Sequence, residues 1–473
     1  MLFNSVEFIV FLIIVFATFW IIPREKINWR NSILLISSYF FYGWWDWRFL
    51  ALIFFSSIID FLVGYQLGYT RSKAKRKALL AFSMVINLGL LGFFKYYNFF
   101  LESFVESFRF FGQAPDISRL NIILPVGISF YTFQTMSYTI DIYRDKINPT
   151  KNLLGFLTFV SFFPQLVAGP IERASHLLPQ FFQKKVFDYP YAISGTKLIV
   201  WGLFKKVVIA DNAAILVNGI FSSYESQNSI SLILGSLLFS FQIYCDFSGY
   251  SDIAIGVSRL FGFDLITNFK FPFLARNIGE HWKRWHISLT SWFRDYLYIP
   301  LGGNRKSPSR TYINVFVVFL VSGFWHGANW TFIVWGTLHG LFYLIYFKYG
   351  KKSDEEYSSF SMASLFKILL TFFLVSLAFV FFRSETLMDS YLYLKGIFVG
   401  SGSANFALSS SRHTLIMGIT LLSCLILVAF EMYSSRKKIS EIPFNPASLG
   451  VLVLLILFMG AFKNHIDFVY FQF

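Results

Sequence analysis

An all-α integral membrane protein is what the sequence predicts, on three observations. The chain is 55% hydrophobic and 21% aromatic with only 14% charged residues, too apolar and too thinly charged for an ordinary water-soluble domain. Apolar runs near the roughly 20 residues that cross a bilayer recur from end to end. No Pro/Gly/Ser linker, low-complexity tract or repeat divides the sequence, so residues 1–473 are expected to form a single membrane domain.

In order, the apolar runs fall at 5–22, 31–45, 48–66, 78–98, 121–142, 153–168, 193–220, 229–256, 312–335, 365–382, 413–432 and 446–462. They predict about 11–13 transmembrane or re-entrant helices, several of them broken. The first run opens "MLFNSVEF" and continues into "WIIPREK", without a basic leader or small-residue cleavage site, so it is expected to stay as an anchor. The clusters "FYGWWDW" (41–47) and "FFKYYNFF" (93–100) lie at span ends, where amphipathic rings settle among headgroups. Cys245 and Cys424 both sit in apolar runs and form neither a disulfide framework nor a metal-ligand spacing.

The net charge of +15 comes from Lys and Arg gathered in short loops beside spans. That is the signature of cytoplasmic loops rather than of nucleic-acid binding, and no nucleic-acid partner is expected. Arg71, Lys73, Lys75, Arg76 and Lys77 form the clearest cluster, which places that loop in the cytoplasm. Residues 23–30, 348–352 and 436–438 then fall inside, whereas 102–116 and 383–412 fall outside. A multi-pass protein of the cytoplasmic (inner) membrane with both termini on the outer face is predicted.

Residues 264–311 are the least lipid-like internal segment, with eight Lys/Arg against three acids among many aromatics. Read as one helix, 281–298 carries Trp282, Trp285, Leu289, Trp292, Phe293 and Tyr296 on one stripe. Lys283, Arg284, Ser291 and Arg294 lie opposite, and His286 falls at the edge of the stripe. Two readings stay open: an interfacial helix on anionic lipid, or a helix turning His286 inward while Lys283, Arg284 and Arg294 meet phosphates of a cytoplasmic donor.

A titratable side chain within a span is costly unless it finds a partner, which makes it a candidate functional residue. His326 stands in "VSGFWHGANW" (321–330), near the middle of the run 312–335, bracketed by Gly323 and Gly327. That glycine pair removes bulk and lets another helix or a substrate approach. Packing and catalysis both fit this pattern. Asn329 can share a face with His326 and orient it, and Trp325 and Ser322 join Trp285 as residues lining the site. His339 precedes Gly340 in a second small-residue pair with Gly336.

Rival chemistries lack their parts. His281 and His286 are five residues apart, about 140° around a helix, and no H-E-x-x-H or C-x-x-C occurs, so no metal site is predicted. Ser322 lies one helical turn before His326 but without a G-x-S-x-G elbow. "PLGGNRK" is not followed as a phosphate-binding loop requires. A transporter would use similar broken spans, yet no inverted repeat is visible and Asp246 and Asp252 are few carboxylates for ion coupling. A neutral histidine in a low-dielectric setting suits proton abstraction from a hydroxyl attacking a thioester or ester carbonyl.

The stretches "LPVGISFYTFQTMSYTIDIYR" (124–144), "FFPQLVAGPIER" (162–173), "FQIYCDFSGYSDIAIG" (241–256), "HWKRWHISLTSWFRDYLYIPLGGNR" (281–305) and "FWHGANWTFIVWG" (324–336) resemble the membrane-bound O-acyltransferases (MBOAT), in the branch similar to bacterial alginate O-acetyltransferases. The resemblance implies a ring of tilted helices with a central funnel, His326 as catalytic base and His286 as the second polar residue of the site. It implies no bound cofactor, with acetyl-CoA as donor substrate, and transfer of an acetyl group across the membrane to an exported polysaccharide. It also implies an outer partner of the serine-esterase type. The tail 467–473, "DFVYFQF", resembles a C-terminal motif of this family in which the tyrosine, here Tyr470, accepts the acyl group. A neighbouring reading is D-alanyl transfer from a carrier protein to teichoic acid.

Overall fold

The computed structural model describes residues 1–110, 112, 117, 119–167, 169–350, 361–400, 402–437, 442–462 and 468–469. Among them every regular element is helical, and the sole β-type pairing is one isolated bridge, Gln227 to Ala404. Six helical stretches are long and apolar enough to cross a membrane: Ile27–Tyr69, Lys73–Arg109, Ser229–Leu260, Trp330–Gly350, Met362–Arg383 and Ser411–Lys437. Val6–Ile21 and Pro446–Met459 are shorter apolar helices. The protein is a multi-pass, all-α membrane protein. Met362–Arg383 shows why: Phe366 and Leu369 are exposed while Val375, Phe379 and Phe382 are buried, so the helix is apolar on both sides, as a lipid-facing helix must be.

Within Ile27–Tyr69 the backbone of Asp46 is extended (φ −159°, ψ 110°), so the stretch divides into Ile27–Asp46 and Leu50–Tyr69. Other apolar runs resolve into shorter pieces. The run 121–142 becomes helical only at Ile128, after Gly127 at φ +76°. The run 153–168 yields the nine-residue helix Leu153–Ser161 and the single turn Phe163–Leu166.

The described chain forms two compact units. The first comprises residues 1–195 and 254–266. Here Leu50–Tyr69 and Ile128–Tyr143 meet so closely that a Cβ on Gly64 would overlap the Tyr138 ring. Polar groups at this crossing satisfy one another, as burial demands: Ser83 Oγ donates to Asp60 Oδ1 at 2.6 Å and Asn87 Nδ2 to Asp60 Oδ2 at 2.8 Å. Of the basic cluster, Arg76 turns inward and donates to the carbonyls of Leu67 and Tyr143. At another corner His176 bridges Glu172 (2.8 Å) and Asp264 (3.4 Å). Hydrogen bonds from these carboxylates, Asp264 first, raise the imidazole pKa to about 10.

The second unit comprises residues 196–253 and 267–473. Its core gathers Phe204, Phe239, Ile243, Trp285, Trp335 and Phe379, and burying such side chains is worth about 1.5–3 kcal/mol each. Two expectations are corrected in this unit. Residues 281–298 are not one helix: Ile278–Arg284 ends, Trp285 is extended, His286 is left-handed, and Ile287–Phe293 begins anew before a π-helical turn at Arg294–Tyr298. The run 312–335 is not one span either. Pro308–His326 stops at Gly327, and Trp330–Ile345 folds back on it as a helical hairpin.

Candidate active site

The break at Trp285–His286 is imposed from another part of the chain. Lys270 N–H donates to the Arg284 carbonyl and Ile287 N–H to the Asn268 carbonyl, both at 2.9 Å, pinning the backbone on either side. His286 is held there at φ 43°, ψ 54°, a conformation that costs a residue with a Cβ of order 1–2 kcal/mol. Such strain persists only where surroundings enforce it, and here the enforcement reaches the side chain.

His286 is fully buried, and its Nδ1 lies 3.0 Å from Asn268 Oδ1. The same oxygen accepts from Ser288 Oγ at 2.9 Å and faces the Ser288 backbone N–H at 3.4 Å. An N–H can only donate, so the amide atom there is the oxygen, and Asn268 Nδ2 correspondingly donates to Ser251 Oγ at 3.2 Å. His286 Nδ1 therefore carries the proton, and its Nε2 carries the lone pair. Burial pushes the His286 pKa down to about 3, so the ring is neutral.

His326, 3% exposed, is the last residue of its helix rather than the midpoint of a span. Gly327 turns the chain away in extended conformation, and a Cβ there would overlap the Phe332 ring. The helix admitted by Gly323 is the hairpin's own second arm: a Cβ on Gly336 would lie 3.0 Å from Gly323 Cα. Around the His326 ring stand Trp325 and Trp335, each 5.0 Å between centroids, and Phe382 at 5.4 Å. Its ring centroid is 6.5 Å from that of His286. The break in one segment and the hairpin turn in another thus bring two histidines 40 residues apart in sequence number, 286 and 326, to one aromatic pocket.

Other predicted residues fall into distinct places. Trp325 packs on both histidines, 6.1 Å from His286. Trp285 is buried and stacks on His281 rather than reaching either ring of the pair. Asn329 does not orient His326: its side chain caps the next helix, accepting from Thr331 N–H at 3.0 Å and donating to the Glu385 carbonyl at 2.8 Å. His339 lies against Trp335 at 4.8 Å. Neither of its ring nitrogens, nor Nε1 of Trp335 or Trp282, has a hydrogen-bonding partner among the described residues. Lys283 and Arg294 are exposed and, with Ser322, Thr290 and Ser291, line a cavity of about 430 Å³. Arg284 does not line it; it is buried beside Glu280 at 3.7 Å. Tyr470 lies outside the described residues. No group of metal-ligating side chains occurs among the described residues.

A buried ionic cluster went unread in the sequence. Lys206 Nζ sits 2.7 Å from both Asp211 and Asp246, and Lys205 Nζ 2.6 Å from Asp252 and 3.0 Å from Ser248 Oγ. The paired lysines inside the apolar run 193–220 were its available signal.

The protein is an all-helical membrane protein that buries His281, His286, His326 and His339, with His286 held in a defined tautomer beside His326. Comparison with known proteins specifies the family. A profile described as "MBOAT, membrane-bound O-acyltransferase family" matches residues 144–349. The chain is 38% identical over 435 residues to "Probable alginate O-acetylase AlgI" of Pseudomonas aeruginosa, covering 91% of this chain and 82% of that protein. It is 37% identical to "Peptidoglycan O-acetyltransferase" of Helicobacter pylori, covering 84% and 80%. It is 30% identical to "Teichoic acid D-alanyltransferase" of Bacillus subtilis, covering 56% and 70%. The chain belongs to the membrane-bound O-acyltransferase family, and it is a membrane O-acyltransferase.

Proposed function

We propose that the protein takes an acetyl group from acetyl-CoA on the cytoplasmic side and delivers it across the inner membrane for O-acetylation of an exported polysaccharide. The observation that carries the chemistry is the fixed tautomer of His286, through Asn268, within one aromatic pocket with His326. His326 acts as general base. It takes the proton from an attacking hydroxyl as that oxygen bonds to the thioester carbonyl, and the sulfur leaves and is protonated to the thiol. His286 Nε2, an acceptor in this tautomer, holds the attacking hydroxyl. Exposed Lys283 and Arg294 on the 430 Å³ cavity supply charge for the phosphates of the donor.

Acetyl is favoured over D-alanyl because the acetylating relatives are aligned along far more of the chain. Tyr470 serves as the first acceptor, and an outer partner of the serine-esterase type completes transfer to the glycan. This order requires both termini on the outer face, in keeping with the basic loops at 71–77 and 436–438.

Transfer of label from radioactive acetyl-CoA to purified protein in detergent tests this, comparing wild type, His326→Ala and Tyr470→Phe. Label retained by wild type and lost in both variants is expected. Label lost only in His326→Ala removes Tyr470 as carrier. No label in folded wild-type protein rejects acetyl-CoA as donor and turns attention to a carrier protein.

A further inference from the structure

Beyond the helix Pro446–Met459 the chain is tied to the wall that carries the ionic cluster. Asn212 Nδ2 donates to the Met459 carbonyl at 2.8 Å, and Ala461 N–H donates to the Val207 carbonyl at 3.1 Å. Further on, Val469 N–H donates to Asp246 Oδ2 at 2.7 Å, a buried bond between residues 223 positions apart. Phe468 packs on Tyr250 (5.0 Å) and Phe247 (6.1 Å). Phe247 in turn meets His286 edge-on at 4.7 Å. Phe468 and Val469 are both buried, at 1% and 3% exposure.

A carboxylate inside a membrane protein must be paired to stay charged, and Asp246 is paired: Lys206 Nζ lies 2.7 Å from its Oδ1, leaving Oδ2 to the tail amide. Asp211 shares the same ammonium, so Lys206 stands between two carboxylates and is kept in place. A backbone N–H is a feature of every residue but proline, so this grip reads position rather than side chain. The aromatic slot of Phe247 and Tyr250 supplies the register.

We infer that Asp246, paired with and oriented by Lys206, is a positioning residue that docks the segment Phe468–Val469 through the Val469 amide beside Phe247, which itself meets His286. The docking itself is independent of which acyl group is moved; its effect on turnover rests on the acetyl-transfer reading proposed above. The ion cluster, which no proton-transfer step above uses, thereby has a task. It offers a carboxylate acceptor in an apolar wall, at the point where Phe468 and Val469 meet the wall next to Phe247.

Hydrogen–deuterium exchange on the full-length protein in detergent reads the docking directly. A buried bond to a carboxylate acceptor protects an amide, and its loss is expected to speed exchange at Val469 about 10- to 100-fold in Asp246→Ala. Asp246→Asn, which keeps an oxygen but not the charge, is expected to lie between. Unchanged exchange at Val469 in Asp246→Ala overturns the inference. Because Asp246→Ala disturbs the ion cluster, Val469→Pro and Val469→Ala form the second arm: only the proline lacks the donor. Label transfer reduced at least tenfold in Val469→Pro, with Val469→Ala near wild type and protection of 229–260 unaltered in both, supports positioning. Equal rates in the two variants overturn it. Exchange that follows the expected pattern in a protein without any label transfer keeps the docking and rejects acetyl-CoA as donor instead.

Discussion

Asn268→Ala is the substitution on which the site stands or falls. It removes the oxygen that accepts from His286 Nδ1 (3.0 Å) and Ser288 Oγ (2.9 Å), and the Nδ2 that donates to Ser251 (3.2 Å), all in a buried setting. A buried donor left without its acceptor costs about 1–3 kcal/mol. Three donors lose theirs here, counting the long bond from the Ser288 N–H at 3.4 Å, and part of the cost is relieved where the Ser288 hydroxyl rotates, so a stability loss of about 2–4 kcal/mol is expected. Catalysis should suffer separately, because His286 is freed to exchange tautomers and to rotate, and outer partners of a working imidazole are worth about 10- to 100-fold. Asn268→Asp preserves the acceptor and supplies the contrast. The assay is initial rate of label transfer at saturating donor, alongside a thermal melt in the same detergent. Asn268→Ala falling about 100-fold in rate while Asn268→Asp retains most of it is the expected pattern. Wild-type turnover by Asn268→Ala would refute the assignment of His286 to the reaction.

Three further outcomes are expected. Gly336→Ala places a Cβ 3.0 Å from Gly323 Cα and against the Phe319 carbonyl, backbone that cannot yield cheaply; a loss of about 1–3 kcal/mol, seen as a lowered melting temperature, should follow. His176 has a folded pKa raised to about 10 by Asp264 and Glu172. Its contribution to stability is therefore complete below its unfolded value near 6.5 and is lost as pH rises through about 10. Melting temperature should decline across that window in wild type and lose this component in His176→Asn. Reversing charge on the cavity with Lys283→Glu and Arg294→Glu should raise KM for acetyl-CoA about tenfold or more, with a smaller change in kcat; unchanged KM would move the donor elsewhere.

Membrane class is legible from composition, because hydropathy is a property of the residues themselves, and His326 beside Trp325 stands out as an imidazole in an apolar run; grouping His286 with it comes from the family resemblance. The break at Trp285–His286 is not legible. The residues from His281 to Tyr298 show a good helical stripe, and what interrupts it is a pair of backbone bonds from Asn268 and Lys270, partners that local pattern cannot supply. The hairpin turn was within reach: Gly327 followed by an Asn two residues on is a helix stop and an N-cap, yet the apolar flanks 312–335 averaged the signal away. Lys205 and Lys206 were hidden by the same averaging, two charges in a long apolar run whose carboxylates lie in other segments.

The left-handed backbone at His286 has a practical corollary. Glycine is the residue that occupies φ 43° without a steric penalty, so His286→Gly relaxes the main chain at the same moment that it deletes the imidazole. An alanine at that position keeps the strain and loses the ring. The glycine variant leaves a ring-sized hollow beside Phe247 and Trp325, matched in size to free imidazole. If His286 takes part in the reaction, activity of His286→Gly is expected to return on adding imidazole and that of His286→Ala to return less; no rescue in folded His286→Gly would separate the position's folding duty from any role in the reaction.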